Sequence, residues 1–408
     1  MQPETTSISI NQFKLIIQEC VDYMLKRSTY TPRVLKLIGE TLKTSSESYY
    51  SLIEEKGYRK KAEGADDISK EELEVPVSDL EIIREMEYAS ASLAFISNRL
   101  LEMTFLDSIV SFDVFLMKLF RRLFEMFPDT LNNSQLTYKD LLSIQNVEQA
   151  RATLIDEKID ELFRKSHIDQ IESLEKQFSI YAKSNCEDLF KSFIEITERR
   201  NVLIHCDGVV SRQYENVCRS VGLKDIAPLG TKLIIDEKYF INACDILLSY
   251  VIIIGYGTWR IKEKPNSEAA DAYLLDLCNL LCEYSRYDVI NRIVEFVTKI
   301  IKPQPKRLMA HQLKLYQIFA LKQIGNEELA KALIDAEDWT SVDIKIQLQL
   351  YVVLQQYDDA YGLMKSVDST IFSTCEILRD FIKTQKFHET YQRIKGVEFK
   401  LSRHPMRG

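Results

Sequence analysis

The sequence predicts an all-α protein, a helical bundle followed by an array of helical hairpins, and three observations carry that reading. Only 12 glycines and 9 prolines interrupt 408 residues, while 46% of the residues are hydrophobic and 28% charged, the balance of a folded, helix-rich chain with little loop. Apolar residues recur at three- and four-residue spacing through most of the length, the period of an amphipathic helix. The last third breaks into short paired segments with a shared rhythm.

Taken in order, Ile10 to Lys26 and Pro32 to Leu42 read as two amphipathic stretches. The charged tract Glu54 to Glu74 lacks a sustained apolar face and reads as a mobile connection, so a first unit is expected over residues 1–78, with a boundary near Val75 to Asp79. From Leu80 a helix is predicted by Ile82, Met86, Ala89, Leu93, Ile96 and Leu100, and a second by Phe112 to Phe127, ended by Pro128-Asp129. Its aromatics, at helical spacing, suit the centre of a bundle. Leu136 to Ile144 reads as a connection. Val147 to Lys165, Ile168 to Ala182, Glu187 to Ile204, Val210 to Val221 and Glu237 to Ile254 follow as helices, with Gly208 placed for a left-handed cap. The middle unit is thus expected over residues 79–262, and Pro265 marks the boundary to a third unit, 263–408. There, Tyr273 to Ile300, Met309 to Ala336, Ile344 to Lys365 and Ile371 to Ile394 share a rhythm. They resemble divergent tetratricopeptide-type hairpins, with Ala330 and Ala360 at close helix contacts. These two alanines stand 30 residues apart, against about 34 in a strict repeat of that type. Such arrays present a concave face to a peptide or partner domain.

One stretch carries chemistry: Arg200-Asn201-Val202-Leu203-Ile204-His205 puts a permanent cation that binds phosphate and a proton-transfer group five residues apart. Leu189 to Tyr214, LFKSFIEITERRNVLIHCDGVVSRQY, resembles the signature region of HEPN domains, helical bundles found in toxin, antiphage and CRISPR-associated ribonucleases. The Glu198-Arg199 lead-in, the Asp207-Gly208 exit, Tyr214 and the upstream segments FLMKLFRRLFEMFP, LTYKDLLS and IDELFRKS extend the likeness over about residues 80 to 262. Cys206 departs from it, standing where similar sequences often have Asn, Asp or His.

Five helical residues span about 7.5 Å and turn by ~140°, so Arg200 and His205 do not reach one ligand atom side by side on a regular helix. Either the helix breaks within the motif or a second copy completes the site; the resemblance implies the latter, a homodimer with two motifs in one cleft. It further implies that Arg200 binds a phosphate oxygen and His205 acts as general acid or base, so that the ribose 2′-hydroxyl attacks without a metal. Asn201 is the natural group to hold His205 or the phosphate, and Arg199, Arg212 and Arg219 are candidates to extend a basic surface along RNA. Two plainer readings stay open: a charged pair on a solvated helix end, and a HEPN-like scaffold that dimerises or binds nucleotide or RNA while its repeats hold a partner.

The formal charge of −8 argues against a protein that coats nucleic acid non-specifically. Eight cysteines without a CxxC pair read as free thiols of a reducing cytoplasm. Cys278 and Cys282 are spaced as two metal ligands can be, but read as core, and no metal or cofactor is expected. His167, His311, His388 and His404 read as packing or surface residues, and Glu172, Glu175 and Glu187 as solvated helix faces. The N-terminus shows no secretory pattern, and Ile246 to Tyr256 (ILLSYVIIIGY) is too short to span a bilayer and reads as a core helix. No Walker loop, dinucleotide fingerprint or nucleophile elbow occurs. The expected setting is a cytoplasmic toxin or antiphage effector, with RNA as substrate and a protein partner or antitoxin at the repeats.

Overall fold

The computed structural model describes residues 11–56, 60–61, 72–73, 76–132, 144–180 and 182–401. Most of the charged tract, the LTYKDLLS segment and the tail with His404 lie outside the described residues. The fold is all-α. Its helices are α1 (Gln12–Lys56), α2 (Leu80–Met126), α3 (Val147–Phe163), α4 (His167–Phe178), α5 (Glu187–His205), α6 (Arg212–Ser220) and α7 (Glu237–Lys262). There follow α8 (Ser267–Glu283), α9 (Tyr287–Ile300), α10 (Arg307–Gln323), α11 (Glu327–Asp335), α12 (Ile344–Val353), α13 (Tyr357–Leu363), α14 (Ile371–Thr374) and α15 (Gln385–Lys395). The extended structure among the described residues is a two-residue antiparallel pairing, Lys60–Lys61 with Glu72–Leu73, and an isolated bridge between Val209 and Lys232.

Two expectations about the N-terminal half are corrected. The paired segments before and after Pro32 form the single helix α1, and the two segments from Leu80 to Phe127 form the single helix α2. The reason is mutual support. Thr31, Leu35, Ile38, Leu42, Ser45, Tyr49 and Leu52 of α1 recur at alternating spacings of four and three, and Ile83, Met86, Ser90, Leu93, Ser97, Leu100 and Thr104 of α2 do the same. These positions are buried or half-buried, whereas most of the residues between them are exposed. That is the seam of a two-stranded coiled coil. It runs antiparallel: Tyr49 donates to Glu87 at 3.2 Å, the Ser45 and Ser90 hydroxyls meet at 3.2 Å, and Arg27 pairs with Asp107 at 2.6 Å. Beyond Thr31 the pair projects as an arm roughly 35 Å long, and the charged tract connects its two strands rather than separating two domains.

The core also crosses both expected boundaries. Phe13, Ile17 and Val21 of α1, Phe112 and Phe120 of α2, Tyr250 of α7, Leu274 of α8, Ile293 of α9 and Leu321 of α10 belong to one buried cluster. Buried packing is thus continuous across residues 78 and 262, while a second, smaller cluster that includes Leu348, Phe372, Phe381 and Phe387 lies within the C-terminal third. At the centre lies α7, whose described side chains from Ile246 to Arg260 are all buried. This helix is long and apolar enough to cross a membrane by composition, yet 83% of its most apolar window is buried inside the protein. It runs two turns beyond the expected end at Ile254. Gly255 lets α1 approach: a Cβ there would meet Ile17 Cγ1 at 2.5 Å. Gly255→Ala is expected to lower stability by about 1–3 kcal/mol through overpacking, read as a lower urea midpoint at unchanged slope.

Arg286, at the start of α9, ties three elements. It donates to the Ser28 hydroxyl of α1 at 2.9 Å and pairs with Asp245 of α7 at 3.5 Å. Burial pushes the Asp245 carboxyl up to about 6, against the pull of Arg286 and Arg292. In the unfolded chain this carboxyl ionises near its ordinary value of 3.8. The unfolded state therefore loses the proton first, and stability declines as pH rises from about 4 to 6. Asp245→Asn is expected to flatten that limb in urea unfolding across pH; an unaltered pH profile would remove Asp245 as its source.

The C-terminal third forms three hairpins, α8/α9, α10/α11 and α12/α13. Ala330 and Ala360 are buried where their helices pack, as their size suggested. The fourth segment is no hairpin: it holds the four-residue α14, two short 3-10 turns and α15. Cys278 and Cys282 are buried in the core, and the eight cysteines are free thiols.

Candidate nucleic-acid interface

The motif occupies the last turns of α5. That helix stays regular through His205 and stops at Cys206, after which Asp207 (φ +50°) and Gly208 (φ +76°) take left-handed conformations. Two amides, those of Cys206 and Gly208, reach back to the Val202 carbonyl at 2.9 and 3.1 Å. The exit is then fastened to a neighbouring loop, Leu233 N donating to Gly208 O at 2.8 Å and Val210 N to Thr231 O at 2.9 Å. A small apolar cluster of Val202, Val210, Tyr214, Cys218 and Leu233 seals it underneath. The break that would bring Arg200 and His205 of one chain together is thus absent from within the motif.

Glu198, Asn201, Val202 and His205 fall at helical spacings of three, four and seven and share one face. With Cys206, Ser211 and Gln213 they line an opening of about 290 Å³. Two hydrogen bonds organise it. Asn201 Nδ2 donates to Glu198 Oε1 at 3.2 Å, and Asn201 Oδ1 accepts from Arg200 Nη1 at 3.1 Å. Arg200 is half-buried and has no carboxylate partner among the described residues. His205 is exposed at the rim. Glu198 is buried, and desolvation raises its carboxyl pKa against the lowering effects of the Asn201 hydrogen bond and of His167.

The three outer arginines differ in their surroundings. Arg212 is exposed at the start of α6, without a partner among the described residues. Arg199 instead turns inward. Its Nε donates to Glu195 at 2.8 Å, its guanidinium lies over the Tyr239 ring at 3.9 Å, and its side chain is only 15% exposed. Glu195 also accepts from the hydroxyls of Tyr214 and Tyr239 at 2.8 and 2.6 Å, so Tyr214 is a buried anchor of this network. Arg219 is exposed, but Glu215 holds it through two contacts of 3.2 and 2.7 Å, which cancels much of its charge.

Sequence reasoning named Glu198 only as part of the lead-in to the motif and His167 as a packing or surface residue, and assigned neither a place in this site. His167 Nε2 lies 2.9 Å from Asp113 Oδ1, against the edge of Phe193. The acidic residue two places before Arg200 was a visible signal for Glu198. Nothing in the sequence brings His167 to it, because α4 and α5 meet only on folding. His311 pairs with Glu337 at 3.2 Å inside the repeats, and Glu172 with Lys183 at 2.6 Å, both structural. Comparison with protein families, curated proteins and solved structures finds no match to this chain.

Proposed function

We propose that this protein is a metal-independent endoribonuclease of HEPN type, acting as a homodimer in the cytoplasm as a toxin or antiphage effector. One observation supports the reading above the rest: Arg200, without an anionic partner among the described residues, is oriented by Asn201 on the same helix end that exposes His205. An unpaired guanidinium held in one orientation suits a phosphate oxygen. In the paired site, one His205 takes the proton of the ribose 2′-hydroxyl, and that oxygen bonds to phosphorus. The bond to the 5′-oxygen breaks, and the second His205 delivers a proton to it, leaving a cyclic phosphate. A restraining partner or antitoxin would seat on the C-terminal hairpins, since stacked helical hairpins offer a binding face.

The scaffold reading draws on a different observation, the loss of Arg199 and Arg219 from the outer charge, which narrows the basic surface to Arg200 and Arg212. Growth separates the two. Induced expression is expected to arrest the host, and His205→Ala to restore growth at equal protein level; equal growth with both versions favours the scaffold.

A further inference from the structure

The geometry points to a docking surface for a second copy of this chain along α2, centred on Met103. Six positions seven residues apart, Ile82, Ala89, Ile96, Met103, Val110 and Met117, are all apolar. All six are exposed, the five larger ones by 37% to 62%. The stripe follows the same seven-residue repeat as the seam that packs on α1, on the flank beside it. The apolar surface of α2 is therefore wider than the part that α1 covers, with Val110 bordering an opening that α1 also lines.

The stripe is complementary to itself. An antiparallel copy related by a two-fold axis through Met103 sets Met103 against its equivalent, Ile96 over Val110 and Ala89 over Met117. At the flanks Arg99 stands opposite Asp107 of the other copy and Glu85 opposite Arg121, but Arg99, Asp107 and Arg121 already pair within the chain with Glu102, Arg27 and Asp156, so the apolar stripe rather than these charges carries the contact. A head-to-head pairing of this kind closes on itself, as two-fold interfaces do. With Tyr88 and Phe95 at its edge, 73% and 68% exposed, the stripe offers roughly 700 Å² per copy, enough for a stable dimer.

The centre of the stripe also has the exit of the motif in its vicinity. Arg99, one turn from Met103, is close enough to Asp207 to join Lys232 in lowering its carboxyl pKa, and Asp207 follows His205 by two residues. Pairing on the stripe would bring both motif ends to the same side of the assembly. This last step rests on the ribonuclease reading; the surface does not.

Light scattering on the full chain at micromolar concentration is expected to give twice the 47.5 kDa of one copy. Met103→Glu should weaken the dimer by roughly 100-fold or more, since two carboxylates would be desolvated against each other, with unchanged helical circular dichroism. Met103→Cys should form a disulfide dimer on mild oxidation where the wild type does not, because each copy meets its own equivalent on the axis. A monomeric wild type, a Met103→Glu dimer of undiminished affinity, or a Met103→Cys dimer that fails to cross-link would each overturn the surface. A stripe dimer that leaves RNA intact would overturn the ribonuclease reading and leave the surface standing, whereas cleavage by a monomeric Met103→Glu variant would detach the surface from the activity.

Discussion

RNA cleavage in EDTA is expected to fall by roughly 10²–10⁴-fold on His205→Ala, the usual contribution of a positioned acid or base. Arg200→Ala should cost on the order of 10²–10³-fold, the size seen when one donor to a developing negative charge is removed. Arg200→Lys should not restore it, because an ammonium cannot keep the bond to Asn201 Oδ1 and also present a planar fork to phosphate. Gel assays of labelled RNA against equal amounts of each variant read these losses. Neither side chain belongs to a core cluster, His205 being exposed and Arg200 half-buried, so the variants should fold like the wild type. That separates loss of chemistry from loss of structure.

Asp271→Ala is expected to destabilise the whole chain by about 3–5 kcal/mol, because it strands a buried cation. Asp271 on α8 accepts from Arg260 Nε at 2.6 Å and from the Tyr256 hydroxyl at 2.7 Å, and Arg260 Nη1 donates onward to Pro303 O at 2.7 Å. These contacts join the central helix α7 to the first repeat hairpin across the expected boundary at residue 262. Since the core is continuous there, unfolding should remain one transition at a lower midpoint, seen alike by circular dichroism and tryptophan fluorescence. Trp259 lies beside the pair and Trp339 lies in the repeats. Two separated transitions would show that the bundle and the repeats fold independently after all.

How much of this was legible in the sequence depends on how local the cause is. The end of α5 was legible because Gly208 takes a backbone conformation that glycine favours, and the hairpin alanines because small residues mark close helix contacts. The core role of Cys278 and Cys282 was legible from their apolar surroundings. The continuity of the core across residues 78 and 262 was not, because a charged tract looks alike whether it joins two domains or the two strands of an arm. The apolar face of α2 looked single from spacing alone; only the position of α1 divides Met86, Leu93 and Leu100 from Ile82, Ala89 and Ile96. The inward turn of Arg199 depends on Glu195, Tyr214 and Tyr239 converging from three helices, and no local pattern encodes that convergence.

The most direct test of the central claim is the chemistry of the cut ends. Purified wild-type protein incubated with RNA in EDTA is predicted to leave 2′,3′-cyclic phosphate and 5′-hydroxyl termini, with no product from His205→Ala or Arg200→Ala. RNA left intact by the wild type, or cleavage that persists in both variants, would contradict it.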